Sequence, residues 1–282
     1  MLLYGWKKIP EFSSKNLPVE IRFSIIIPFR NEAENLPILL KSLTEINYPN
    51  SKFEIILVDD ESEDNSVEII KEFQQTHLDS NLKVLENQRT SSSPKKDAIN
   101  TAIDSANFEY IITTDADCQV PENWLKIYNY FIVKTGNKLI AGPVALNSLP
   151  AANTNNRRKN ILRNFEELDV LSLQASTAGA FGIERAFMCN GANLCYNRQA
   201  FLKVLGFTGN DNIASGDDVF LLQKFQQGNY KIGFLKSRES IVYTTAQQNL
   251  GDLVSQRIRW ASKAPAYKSL FAKFTGVSVL LM

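Results

Sequence analysis

Histidine is almost missing from this chain of 282 residues: His77 is the only one. Zinc sites built from several histidines are therefore excluded, and a Ser-His-Asp triad would have to run through this single residue. Its polar setting, Gln74-Gln75-Thr76-His77, reads as a solvated helix end. Acid–base chemistry then falls to carboxylates, lysine, tyrosine or cysteine. Cysteine is scarce too. Cys118, Cys189 and Cys195 form no C-x-x-C pair, which argues against a disulfide scaffold or structural zinc and fits a reducing compartment. Neither sign of charge dominates: 31 Lys and Arg face 30 Asp and Glu, so the basic surplus of a dedicated nucleic-acid binder is lacking. No G-x-G-x-x-G follows the first apolar run and no G-x-x-x-x-G-K-[ST] occurs, which removes the fingerprints of dinucleotide oxidoreductases and phosphate-loop ATPases. Nor is there a run of about 20 apolar residues, the length a membrane-spanning helix needs. Leu2 to Trp6 is too short for a signal peptide. The run from Phe274 to Met282 is apolar, and two readings of the ends stay open: stumps of a longer membrane protein, or a frayed arm and a docked helix.

What is present is an alternation of strand and helix. Phe23 to Pro28, Phe53 to Val58, Leu82 to Leu85 and Tyr110 to Thr114 are short, β-branched apolar runs that read as buried strands. Between them lie helical spacings: Asn31 to Leu43 with Asn31 as N-cap, a helix capped by Ser62 or Asp64 that places Val67, Ile70 and Phe73, and Asp97 to Ala106 after a loop from Ser91 to Lys96. This order predicts an α/β fold with a parallel sheet and right-handed crossovers. The second half is less regular. Helices are expected at Pro121 to Val133, Arg163 to Gln174, Gln199 to Leu205, Asp218 to Gln227 and Leu250 to Lys263. Strands are expected at Ile140 to Val144, Cys189 to Tyr196, Ile232 to Leu235 and Ile241 to Tyr243, with a polar linker from Asn153 to Lys159.

In an open parallel sheet, ligands bind beyond the carboxyl ends of the strands. Polar residues follow three of the expected strands, at Pro28-Phe-Arg-Asn-Glu32, Asp59-Asp60-Glu61 and Asp115-Ala-Asp117. The last carries two carboxylates that can reach one hard cation, whose remaining ligands are usually phosphate oxygens and water. Lys95 and Lys96 open a helix, where an ammonium and a helix N-terminus both suit a diphosphate or, more plainly, solvent. Gly216-Asp217-Asp218 opens another helix, and its carboxylates read as a cap or as a general base. Gln256-Arg257-Ile-Arg259-Trp260 packs an amide, two guanidiniums and an indole into little more than one turn, suited to phosphate and sugar or to an ordinary surface helix with Trp260 buried.

Together with Gly191-Ala-Asn193, these segments in this order resemble the family 2 glycosyltransferases over roughly residues 21 to 265. The resemblance implies a GT-A fold, a Rossmann-like, mostly parallel central sheet flanked by helices. It implies inverting transfer of a sugar from a nucleotide-diphosphate sugar, a UDP-sugar in this reading, to a hydroxyl of a glycan or lipid, with Mn2+ or Mg2+ as cofactor and no nucleic-acid partner. By position, Pro28, Phe29, Arg30 and Glu32 line the nucleoside pocket, Asp60 accepts a uracil N–H, and Lys95 lies near the diphosphate. Asp115 sits by the ribose and metal, Asp117 holds the metal, and Asp218, with Asp217 beside it, is the general base. Gln256, Arg259 and Trp260 match the acceptor and diphosphate signature of membrane-embedded polysaccharide synthases. The chain departs from the family pattern at Pro94, where glycine is common, and in reading Gly-Asp-Asp where Gly-Glu-Asp or Thr-Glu-Asp is usual. Residues 1–20 are then an N-terminal arm and 21–265 the catalytic domain, with 21–120 the nucleotide half and 121–265 the acceptor half. Residues 266–282 begin a membrane or interfacial segment at the cytoplasmic face of a membrane. The rival readings are a nucleotidyltransferase making the sugar nucleotide, which would want a Gly-rich basic loop after the first strand, and a non-catalytic nucleotide-sugar-binding module.

Overall fold

Phe23 to Phe29 and Phe53 to Asp59 are apolar at nearly every position because each strand is covered on both faces. Side chains alternate along β1 (Phe23–Phe29): Ile25 and Ile27 enter one core with Leu36, Leu39, Ile70 and Trp124, while Ile26 enters the opposite core with Ile99, Ile103 and Leu222. The result is a helix–sheet–helix sandwich. The computed structural model describes residues 1–13, 18–77, 81–147, 157–210, 216–247 and 249–261, with backbone alone at 157–160 and 259–261.

In chain order the elements are α1 (Leu2–Lys8), β1, α2 (Leu36–Thr44), β2 (Phe53–Asp59), α3 (Ser66–Thr76), β3 (Leu82–Glu86), α4 (Pro94–Ser105), β4 (Tyr110–Thr113), β5 (Cys118–Gln119) and α5 (Trp124–Thr135). There follow β6 (Leu139–Ala141), β7 (Val144–Leu146), α6 (Arg157–Gly182), β8 (Leu194–Asn197), α7 (Arg198–Lys203), α8 (Asp217–Gln227), β9 (Ile232–Phe234), β10 (Val242–Thr244) and α9 (Leu250–Ala261). Seven strands form the main sheet in the order β3-β2-β1-β4-β8-β6-β9, all parallel except β8. A small second sheet has the order β5-β10-β7. The expected mostly parallel α/β sheet is present. The chain builds outward from β1 through β2 to β3, then returns to place β4 on the other side of β1. That reversal is the topological switch point at which open α/β sheets bind ligands.

Several expected boundaries move, each for a local reason. Asn31 is not an N-cap. It takes a left-handed φ of 56°, its Oδ1 accepts the Glu63 N–H at 2.7 Å, and α2 starts at Leu36 behind Asn35. The cap of α3 is Asn65 rather than Ser62 or Asp64. Ser62 accepts from the Asn31 N–H, and Asp64 accepts from the backbones of Ala33 and Ser66. Helix α4 begins at Pro94, so Lys95 and Lys96 lie in its first turn rather than in the preceding loop; proline suits that position because the N–H it lacks would go unused. The single strand expected at 140–144 is broken at Gly142-Pro143 into β6 and β7, which join different sheets. The strand expected from Cys189 starts only at Leu194, after a 3-10 turn at Gly191–Asn193 whose Ala192 N–H is taken by the Asn190 side chain. Residues 153–156 of the expected linker lie outside the described residues, and 157–159 belong to the first turn of α6.

Helices α1 and α6 cross with their backbones in contact. A methyl group added at Gly5, Gly179 or Gly182 would collide with main-chain carbonyl atoms of the other helix. Lys236 clamps the end of α1 from below, its ammonium over the Trp6 ring and hydrogen-bonded to the Trp6 carbonyl.

Candidate active site

The carboxyl ends of β1, β2 and β4 open onto one cleft of about 300 Å³, lined by Pro28, Phe29, Arg30, Glu32, Asp60, Lys95, Ala98, Asp115, Ala116 and Asp117. Every residue expected to contact the nucleotide or the metal is on this wall. They converge because parallel pairing puts the last residues of neighbouring strands level: Phe29 lies opposite Asp59, and Ile26 opposite Thr113.

At one end of the cleft sits Asp60, a buried carboxylate. Its Oδ1 accepts from Asn87 Nδ2 at 2.6 Å and from Arg89 Nε at 2.6 Å, while its Oδ2 faces Arg30 Nη1 at 4.0 Å. Burial alone would raise its pKa, but the bonds from Arg89 and Asn87 and the charges of Arg89 and Arg30 hold it below the usual carboxylate range. Arg89 also pairs with Glu61 at 2.6 Å. Neither Asn87 nor Arg89 was among the expected site residues. The available signal was positional: they follow β3 as Asp60 follows β2, and the register that sets Asp59 against Glu86 brings them alongside.

At the other end, Lys95 Nζ meets Asp115 Oδ1 at 2.6 Å. Burial disfavours the ammonium, but Asp115, Asp217 and Asp218 outweigh that and raise its pKa. Asp117 has Oδ2 accepting from Thr244 Oγ1 at 3.0 Å and Oδ1 from Cys118 Sγ at 3.5 Å. Burial, then the neighbouring charge of Asp115, pushes its pKa up. Burial likewise raises Glu32, against the hydrogen bond from Asn35 and with the charges of Asp117 and Asp115. The cleft floor is thus an anionic surface with too little counter-charge. Among the described residues no group of three His, Cys, Asp or Glu converges as a ligand set. The protein offers two oxygen donors, a set that suits Mg2+ or Mn2+ when phosphates and water complete the shell.

The antiparallel strand β8 enters the sheet at this same edge, which brings Gly191 to the cleft rim. Thr113 Oγ1 donates to the Gly191 carbonyl at 2.6 Å. A Cβ at Gly191 would stand 3.1 Å from Asp217 Oδ2 and 3.8 Å from Lys95 Nζ, so the glycine lets the start of α8 approach β4 closely. Asp217 is buried, whereas Asp218 is partly exposed, with Oδ1 accepting from Val219 N–H at 2.7 Å and Oδ2 from Gly191 N–H at 3.3 Å. Asn193 has a different duty. Its Oδ1 accepts from Trp124 Nε1 and Tyr128 Oη, and its Nδ2 donates to the Pro143 and Ser240 carbonyls at 2.8 Å each. It is a buried structural hub.

Gln256 lies on α9, where its Oε1 accepts from Arg257 Nη1. Arg257 pairs with Asp169 on α6, so this guanidinium is engaged away from the cleft. The side chains of Arg259 and Trp260 lie outside the described residues, as do residues 262–282, including Lys263 at the expected end of that helix and the apolar run from Phe274. His77 is exposed at the end of α3 and stacks on Phe73. The three cysteines are buried, and none is in a disulfide. No helix among the described residues is long and apolar enough to cross a membrane.

Residues 24–203 match the family model described as Glycosyl transferase family 2. Among curated proteins, the chain is 25% identical over 236 residues to the glycosyltransferase AglE of Haloferax volcanii, covering 84% of this chain and 70% of that protein. It is 26% identical over 241 residues to a poly-beta-1,6-N-acetyl-D-glucosamine synthase of Staphylococcus epidermidis, covering 84% of this chain but 53% of the synthase, so it spans about half of that relative. Of solved structures, a mannosyltransferase from Pyrobaculum calidifontis in complex with GDP-Man and Mn2+ superposes with a TM-score of 0.65 at 21% identity, covering 92% of this chain and 68% of that one. TarS from S. aureus in complex with UDP-GlcNAc gives a TM-score of 0.58 at 18% identity, covering 81% and 60%. At these identities the structural likeness establishes the fold, which is that of the GT-A glycosyltransferases.

Proposed function

The chain belongs to glycosyltransferase family 2, and from that we propose that it moves a sugar from a uridine-diphosphate sugar to a hydroxyl of a glycan or lipid, with inversion. The observation that carries the reading is the single cleft in which Arg30, Asp60, Lys95, Asp115 and Asp117 meet. Residues 21–120 supply the nucleotide half and 121–265 the acceptor half.

The choice of uridine rests on Asp60. One of its oxygens already accepts two donors, Asn87 and Arg89. The other lies 4.0 Å from Arg30 Nη1, and both residues line the cleft. Uracil presents one imide N–H flanked by carbonyls, which suits one carboxylate oxygen and a guanidinium. Guanine presents two adjacent N–H donors, which suit a carboxylate with both oxygens open.

Asp115 and Asp117 would hold Mn2+ or Mg2+, and a bound cation supplies counter-charge to the departing diphosphate. Lys95 adds a positive charge from the protein side, held in place by Asp115. Asp218 takes the proton of the acceptor hydroxyl as it attacks the anomeric carbon. With one base and no protein nucleophile, a single displacement inverts the configuration. Gln256, Arg259 and Trp260 belong to the acceptor side of this reading. Of the basic set Arg257, Arg259, Lys263, Lys268 and Lys273, Arg257 is paired with Asp169, and the other four, followed by the apolar run to Met282, support attachment to the cytoplasmic face of a membrane.

A panel of sugar nucleotides scored by released nucleoside diphosphate, with Mn2+ and with chelator, tests the proposal. UDP release that needs the metal and an acceptor, with the opposite anomeric configuration in the product, is expected. Release from GDP-sugars alone would overturn the uridine assignment, and full activity in chelator would overturn the metal.

A further inference from the structure

Thr244 stands 127 residues after Asp117 in sequence, yet its hydroxyl donates to Asp117 Oδ2. Thr244 does not line the cleft; it lies behind the carboxylate. Its own placement is over-determined. It is the last residue of β10, paired antiparallel with Cys118 of β5 and in parallel register with Leu146 of β7. Its carbonyl accepts the Asn147 N–H at 2.8 Å. A β-branched residue in a strand has few rotamers open to it.

Helix α6 secures this corner from behind. Arg163 Nη2 donates to the Asn147 carbonyl at 3.3 Å, and the buried carboxylate of Glu166 accepts the Gln247 N–H at 2.9 Å. Asn147 beside Thr244 and the chain just after it are therefore tied down, and a hydroxyl on a fixed strand is aimed at one oxygen of one cleft carboxylate.

We propose that Thr244 is a positioning residue for Asp117. By holding Oδ2 while the Cys118 thiol donates to Oδ1 at 3.5 Å, it fixes the carboxylate plane and so the direction in which the remaining lone pairs are offered to the cleft, where a divalent cation and a diphosphate meet. The inference rests on reading the cleft as a metal–diphosphate site. The hydroxyl does no chemistry itself; it sets the direction in which Asp117 presents its charge.

Manganese binding tests this without turnover. Free Mn2+ is followed by its electron paramagnetic resonance signal while enzyme is titrated in the presence of UDP, for the wild type, Thr244→Val and Thr244→Ser. Valine keeps the shape and removes the donor; serine keeps the donor. Loss of a partner that orients a metal ligand typically weakens metal binding by about 10–100-fold. Thr244→Val is expected to show that loss with an unchanged melting temperature, and Thr244→Ser to stay within a few-fold of wild type. Should Thr244→Val fail to fold, Thr244→Ala carries the same comparison. Equal Mn2+ binding by wild type and a folded valine or alanine variant overturns the inference and leaves the metal site standing. A wild type that takes up no Mn2+ with UDP overturns the metal reading, and the inference falls with it.

Discussion

The two halves of the molecule hold the cleft in different ways. In residues 21–120 the cleft-lining side chains, apart from Lys95 and Ala98 on α4, stand at or just beyond the ends of parallel strands β1, β2 and β4, which are four to seven residues long and have buried cores. Their positions follow from ladder register and apolar burial, both spread over many residues. In the second half the strands are three or four residues long and divided between two sheets. There, individual hydrogen bonds do the aiming: Thr113 on Gly191, Asn193 on four partners, and Thr244 on Asp117. Residues 21–120 should therefore tolerate the loss of one polar contact better than the second half does.

The largest effect is expected at the start of α8. Asp218→Asn should lower kcat by about 10²–10⁴-fold and leave UDP affinity nearly intact, since a general base touches the acceptor. Asp217→Asn should be milder. Steady-state kinetics beside calorimetry decides this, and the reverse ranking would move the base to Asp217. Next comes Asn193→Ala, which strands the Trp124 indole N–H in the interior and leaves the Tyr128 hydroxyl only its longer bond to the residue 193 carbonyl, 3.4 Å. A loss of about 1–3 kcal/mol in urea unfolding is expected, the cost of a buried polar group left unpaired. If it costs no more than an ordinary surface change, the contrast between the halves is wrong.

Asp60→Ala sharpens the comparison from the other side: UDP binding should weaken by about 1–3 kcal/mol in calorimetry while the fold persists. Arg89→Ala should weaken it less, because Asn87 still holds Asp60. The smallest effect concerns pH. Glu54 is buried in β2 and bonded to Lys83, Ser24 and Asn107, and although burial opposes its charge these bonds pull its pKa below the ordinary value of 4.5. A depressed carboxyl contributes stability that is present above its unfolded value and lost as pH falls through the folded one. Unfolding free energy should therefore decline below about pH 4.5, and Glu54→Gln should flatten that acid limb.

The half up to residue 120 was legible because buried strands announce themselves as apolar runs and the polar residues beyond them stand out. Asn87 and Arg89 were missed although the same logic covers them; they follow the short β3, whose partly exposed face gives a weaker signal. Asn31 was misread because an asparagine before an apolar run has two uses, capping a helix or holding a left-handed turn, and only the contact with Glu63 decides between them. Thr244 could not be read at all. Its role needs the pairing of β10 with β5, two strands of two and three residues from distant parts of the chain, and no local pattern encodes that.

The glycine crossing of α1 and α6 bears on how this protein can be trimmed. A catalytic unit cut at residue 21 keeps every cleft residue, but it discards Gly5 and the whole face that covers Gly179 and Gly182. Gly179 lies inside α6 and weakens it by about 1 kcal/mol relative to alanine, Gly182 is its last residue, and without α1 the packing that both glycines allow is lost. The far end of the same helix carries Arg163 and Glu166 under the Thr244 corner. A tag or truncation at the amino terminus is thus a change to the buttress of the active site, and a minimal version of the enzyme should keep residue 2 onward or replace both helical glycines with alanine.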